Sequence, residues 1–126
     1  MRWMRRLALS GLLLVSLVGC ATTSAPQEPP REMHTPATPQ AALHESLALM
    51  MERGYVITQA DGNLGRIDAA LGRYPGYRVE IRVTQDSGGG SRIAIQALGG
   101  GRALPSNVVE PLFIDLQSRL GREHPR

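Results

Sequence analysis

Side chains able to do covalent or acid–base chemistry are few and scattered in this chain. Its 126 residues include one cysteine, Cys20, three histidines, and no lysine among 14 basic residues. A single thiol excludes an internal disulfide framework and any multi-cysteine metal site. The carboxylates that could form a hydrolytic pair are Asp61, Asp68, Glu80 and Asp86. Such a pair must flank a cleft with its two pKa values held apart. Asp68 and Glu80 fall instead among arginines in alternating segments, which predicts solvated ion pairs. No serine has the surroundings of a nucleophile elbow, and no histidine lies in a segment that reads as strand. A catalytic triad lacks members, and His34, His44 and His124 have no companion ligands, so no metal site is expected.

Two short motifs mimic ligand loops and fail on spacing. Asp61-Gly62-Asn63 has acidic and amide oxygens at the first and third positions of a calcium loop. The sixth position is then Arg66 where glycine is needed, and the twelfth is Gly72 where a bidentate Glu is needed. Gly88-Gly89-Gly90 could be imagined as a phosphate cradle, but a P-loop requires Gly-Lys-Ser/Thr opening a helix, and the chain has no lysine. Both motifs read as turns, the second as a flexible hairpin tip.

Charge location alters what the basic composition means. The formal charge of +3 comes from Arg2, Arg5 and Arg6, while the 11 acidic residues all follow residue 20 and are balanced by the remaining arginines. A basic nucleic-acid surface is therefore not indicated. Residues 1–6 are cationic, residues 7–18 are almost wholly apolar, and Gly19 and Cys20 follow. This is the three-part layout of an export signal, and its apolar run is shorter than the ~20 residues of a spanning helix.

The sequence Leu17-Val18-Gly19-Cys20 resembles the lipobox of bacterial lipoproteins. The resemblance implies cleavage after Gly19, a diacylglyceryl thioether on Cys20, and acylation of the new amine. This covalent lipid is the only cofactor-like group expected. Two or more acyl chains would anchor the protein stably, at ~0.8 kcal/mol per buried CH₂. In a diderm host, Ala21 in place of Asp after the cysteine implies delivery to the outer membrane, facing the periplasm. The alternatives are a plain secretory signal with a free cysteine at the cut, or a short buried helix.

The expected organisation is a signal peptide over 1–19, a lipidated cysteine and Pro-rich tether over 20–40, a small domain over 41–121, and a frayed tail over 122–126. Five prolines between residues 26 and 39 favour extended chain, so twenty residues would reach at most ~60 Å from the bilayer at ~3.1 Å per residue. The segment reads equally as a spacer of set length or as chain with no length requirement.

The domain must position whatever function exists. Thr38 and Pro39 predict a helix start, Leu43, Leu47 and Met50 with Met51 an apolar stripe, and Gly54 a stop. Short strands are expected over 55–60 and 65–71. Tyr77–Gln85 alternates without a fault, and the turn 86–91 leads to a partner strand over 92–98. A last helix, capped by Ser106 or Asn107 with Pro111 in its first turn, carries Leu112, Phe113, Leu116 and Leu120 and stops at Gly121. This gives an α+β two-layer sandwich in the order αββββα: an antiparallel four-stranded sheet with both helices packed on one face.

The other sheet face should then show Arg66, Asp68, Arg78, Glu80, Arg82, Thr84, Arg92 and Gln96. Opposite-charge pairing predicts residue 66 opposite 80 and 68 opposite 78. Arg66, Arg78, Arg82 and Arg92 form the candidate binding face, for a lipid headgroup, a wall polymer or an acidic protein patch. The plainer reading is a soluble surface laced with salt bridges. Nucleic acid is not expected, because no exposed aromatic accompanies these arginines.

The overall layout resembles small envelope lipoproteins of diderm bacteria, and more loosely the accessory lipoproteins of the outer-membrane barrel-assembly machinery. It implies a non-catalytic binding or scaffolding module held at a membrane. The competing class is an envelope enzyme acting on cell wall or lipid, and a third is a secreted, unanchored domain.

Overall fold

A computed structural model of the chain describes Gly19, residues 28–74 and residues 76–122. The elements are β1 (Arg31–Thr35), α1 (Pro39–Glu52), β2 (Tyr55–Asp61), β3 (Arg66–Leu71), β4 (Arg78–Gln85), β5 (Ser91–Gly99), β6 (Arg102–Ala103), a 3₁₀ turn (Ser106–Val109) and α2 (Glu110–Arg122). The sheet runs β1-β5-β4-β3-β2, every neighbour antiparallel, with β6 beside the far end of β5. The α+β architecture, an antiparallel sheet with two helices packed against it, is as expected; the sheet has six strands rather than four, and the order αββββα is corrected because β1 precedes the first helix.

Both extra strands arise from weak local signals. In β1 the only apolar side chain is Met33, which is buried while Glu32 and His34 are exposed. Flanking prolines at 29, 30 and 36 make the stretch look like a linker, yet none falls inside the strand, so each pairing residue keeps its N–H. Arg31 holds the strand against α2: its guanidinium lies 4.5 Å from the centroid of the Phe113 ring and pairs with Glu110 at 2.9 Å. The expected tether over 20–40 is thus shortened by a strand and a helix start. β6 is two residues long and exists because Gly100 and Gly101, both at positive φ, form a two-residue turn that pairs Gly99 with Arg102.

α1 starts as its sequence dictates. Thr38 is the N-cap, its hydroxyl accepting from Ala41 N at 3.2 Å, Pro39 opens the helix, and Gly54 follows it at φ +82. Its buried stripe is Ala42, Ser46, Leu49 and Met50, while Leu43 and Leu47 sit on the flanks and Met51 is exposed. The expected stripe is therefore rotated by about one position. Small Ala42 and Ser46 let the helix approach the sheet, and Ser46 Oγ satisfies itself by donating to Ala42 O at 2.7 Å. α2 buries the expected Leu112, Phe113, Leu116 and Leu120 and runs to Arg122, one residue past Gly121. Its entry is the 3₁₀ turn with no side-chain cap, so neither Ser106 nor Asn107 caps α2.

The register between β3 and β4 differs from the charge-based expectation. Arg66 faces Arg82 and Asp68 faces Glu80. Leu71 N donates to Tyr77 O at 2.8 Å, closing a loop over 72–76. At the other end Gly65 lies so close to β4 that a Cβ there would be 2.1 Å from Val83 O. Backbone fit at Gly65 thus outweighs cross-strand charge, worth only ~0.2–1 kcal/mol per pair.

The core forms where the alternating strands meet the helices. Ile67, Ile81, Ile93 and Ile95 are fully buried beneath Met50 and Leu116. α1 links the two edge strands, β1 and β2, by crossing this face. The opposite face has no element over it among the described residues.

Candidate functional site

Register places side chains on the uncovered face in rows. One row reads Asp61, Arg66, Arg82, Ala94 and Glu32; the next reads Gln59, Asp68, Glu80 and Gln96. A third holds Val56, Ala70, Arg78 and Leu98, and a fourth holds Thr84, Arg92 and His34. All four candidate arginines, Arg66, Arg78, Arg82 and Arg92, therefore share one face, but they differ in their surroundings.

Arg66 and Arg82 are tied into an ion-pair network. Arg66 Nε donates to Asp68 Oδ2 at 3.0 Å, its Nη2 lies 3.5 Å from Glu80 Oε2, and Arg82 Nε donates to Glu80 Oε1 at 2.6 Å. The hydrogen bond to Asp68, and after it the charges of Asp68 and Glu80, push the Arg66 pKa up. Neither Arg78 nor Arg92 has a carboxylate within ion-pair distance among the described residues. β1 and the end of β2 add Glu32 and Asp61 to the face, so its four arginines are matched by four carboxylates. On the four predicted strands alone, these arginines would face only Asp68 and Glu80, a surplus of two positive charges that β1 and the end of β2 remove.

The histidine assigned to the tether lies on β1. His34 Nδ1 donates to Asp86 Oδ2 at 2.7 Å, joining the edge strand to the β4–β5 turn. This hydrogen bond chiefly lowers the Asp86 pKa, against burial, with the His34 charge, the Ser87 N–H and Arg92 adding to it. A His–Asp dyad needs a hydroxyl or thiol on its other nitrogen to act on an acyl group. No hydrogen bond from Ser, Thr or Cys reaches His34 among the described residues. The buried hydroxyls flanking the strand pair are engaged elsewhere: Thr35 Oγ1 accepts from Ala37 N and Ser91 Oγ donates to Ala37 O.

The turns that mimicked ligand loops are structural. Asp61 Oδ1 accepts from the N–H groups of Asn63 and Leu64, each at 2.9 Å, which is an Asx turn. Gly90 is not a free tip but a docking point, since a Cβ there would fall 2.2 Å from Thr35 O. No group of three or more His, Cys, Asp or Glu side chains is arranged to hold a metal among the described residues.

A second feature was not visible as a motif. Where α1 ends and β2 begins, Arg53, Tyr55, Arg73, Tyr77, Val108 and Leu112 line a recess of about 140 Å³ with Pro111. The Tyr55 and Tyr77 hydroxyls share a hydrogen bond of 3.0 Å, and their rings meet edge-on. Burial, and then the contact with Tyr77, pushes the Tyr55 pKa up, while Arg53 and Arg73 pull it back. Arg53 is paired with Asp115; Arg73 has no carboxylate within ion-pair distance among the described residues. The available signal was two tyrosines at the openings of β2 and β4 in an aromatic-poor chain.

Cys20 lies outside the described residues. No helix among the described residues is long and apolar enough to cross a membrane. No protein-family model matches this chain, and no curated protein matches its sequence.

Proposed function

We propose that this chain is a lipid-anchored envelope protein, a non-catalytic binding or scaffolding module that docks another envelope protein on its uncovered sheet face. The observation that carries the reading is that face itself. Helices cover one side of the sheet, whereas the other presents a wide surface with no covering element among the described residues. Its charges alternate and balance, with an apolar band of Val56, Ala70 and Leu98 alongside. A balanced mosaic suits a folded protein partner of matching pattern better than a uniformly anionic polymer. The Leu17-Val18-Gly19-Cys20 sequence supports the anchor.

Two experiments test the two halves. Cys20→Ala is expected to abolish fatty-acid labelling and membrane fractionation; labelling that persists removes the anchor. A photo-crosslinker at position 82 or 96 is expected to capture one discrete envelope protein in cells. The same probe at Met51 or Ile114, exposed on the helices, is expected to capture none. Crosslinks arising only from the helical side would remove the sheet face as the docking surface.

A further inference from the structure

The distance between the anchor and the fold decides which part of the domain meets the bilayer. The chain is already held at Glu28, whose Oε2 accepts from Ser106 N at 2.7 Å, and β1 begins at Arg31. Only residues 21–27 separate Cys20 from that contact. As polyproline-like chain, the eight steps from Cys20 to Glu28 reach about 25 Å, far less than the expected tether. A lipid on Cys20 would therefore keep the Glu28 end of the domain within about 25 Å of the headgroup region.

Strand directions define what lies at that end. β1 enters opposite Ile95 and leaves opposite Ser91. The same end therefore collects the close of β5, the β6 turn, the starts of β4 and β2, the end of α1, and the loop 72–76. Five arginines are there: Arg31, Arg53, Arg73, Arg78 and Arg102. Glu110 takes Arg31 and Asp115 takes Arg53, while Glu52 at the close of α1 is taken by Arg119. Arg73, Arg78 and Arg102 are exposed and have no carboxylate within ion-pair distance among the described residues. Against them stands Glu28, so the end keeps a surplus of two positive charges. Beside them Tyr74 is 97% exposed, an amphipathic ring of the kind favoured at membrane interfaces. The opposite end carries Asp61 and Asp86 in its turns.

We propose that this basic end is a membrane-contact surface that binds the anionic lipid headgroups of the bilayer into which Cys20 is anchored. It rests on the lipid-anchor reading for its placement. The Tyr55–Tyr77 recess receives a headgroup phosphate. Arg73 supplies the charge at its mouth, and one hydroxyl of the tyrosine pair is left to donate outward once the other has donated within the pair. Arg78 and Arg102 contact neighbouring headgroups without a pocket. Seated in this way, the domain stands on its arginines with the sheet face turned sideways, open to a protein partner.

The test uses the unlipidated chain from residue 20 with Cys20→Ala, floated with vesicles of phosphatidylcholine with or without phosphatidylglycerol. Binding is expected only with phosphatidylglycerol, and it should fall as salt rises. Each of Arg73→Gln, Arg78→Gln and Arg102→Gln is expected to lower the partition coefficient about fivefold. Arg92→Gln at the far end should leave it unchanged, and unfolding midpoints should match throughout. Equal flotation on both vesicle types, or an Arg92→Gln loss as large as the others, overturns the proposal. A soluble glycerol phosphate that shifts the Tyr55 and Tyr77 ring NMR signals, when the chain does not float with vesicles, also overturns it, assigning the recess to a free anion. Fatty-acid labelling of Cys20 is read separately, so loss of the anchor and loss of the headgroup surface are distinguished.

Discussion

Arg66 stands directly opposite Arg82 across β3 and β4, and both guanidinium groups turn onto the same carboxylate, Glu80. The like-charge contact that this register creates is relieved along the strands, because each arginine has a carboxylate two residues away on its own strand. Glu80 is then the keystone of the face. Glu80→Gln is expected to destabilise the domain by about 1 kcal/mol in urea unfolding. Adding Arg82→Gln should restore most of the loss, since one of the two facing charges is gone. A double variant no better than the single would show that the arginines do not repel.

That register also shows where sequence patterning stops being informative. Period-two alternation put Ile67, Ile81, Ile93 and Ile95 on the buried face correctly, but a slip of two residues leaves that face unchanged. What separates the two registers is the backbone fit at Gly65, and charge pairing pointed the other way. β1 was missed for a different reason. A single Met33 between prolines carries little hydrophobic pattern, and its strand exists because β5 offers it an edge and Phe113 offers Arg31 a ring. The four face arginines were legible from alternation alone. The neutralising Glu32, the His34–Asp86 contact and the tyrosine recess depend on residues far apart in sequence meeting in space.

Glycines at positive φ separate into those that need the torsion and those that also need the space. Gly65 and Gly89 lie at φ +63 and +91, but only at Gly65 would a Cβ meet backbone, 2.1 Å from Val83 O. Gly89→Ala should cost about 1–2 kcal/mol, the torsional penalty alone. Gly65→Ala should exceed about 3 kcal/mol, because β3 and β4 must part to admit the methyl group. Equal losses for the two in urea unfolding would remove Gly65 as the register lock.

The His34–Asp86 contact predicts an acid-limb dependence of stability. Asp86 titrates below the ordinary carboxylate value of 3.8 in the folded protein. Its contribution is therefore present above that value and lost as pH falls through the lowered one. Asp86→Asn should be less stable than the parent at neutral pH, with the gap closing on acidification. His34→Ala should move the Asp86 carboxyl titration, followed by NMR, back toward the ordinary value. A gap independent of pH would mean that Asp86 acts through its turn and not through its charge.

Removing β1 tests whether the fold begins where composition places it or where the structure does. A chain starting at Ala37 keeps the Thr38 cap and all of α1 but lacks Arg31, Met33 and Thr35. It loses the burial of Met33, which is 5% exposed, and bares the hydrogen-bonding edge of β5 from Ser91 to Ile95. Truncating Met33 alone, as Met33→Ala, should cost about 2 kcal/mol or more. Losing the whole strand should cost more and leave an unpaired edge that promotes association. A chain starting at Glu28 should unfold in one cooperative step and elute as a single species. The Ala37 chain should have a lower urea midpoint and form concentration-dependent oligomers. Equal midpoints and equal elution would mean that β1 is dispensable, and would restore the long tether that its pairing removes.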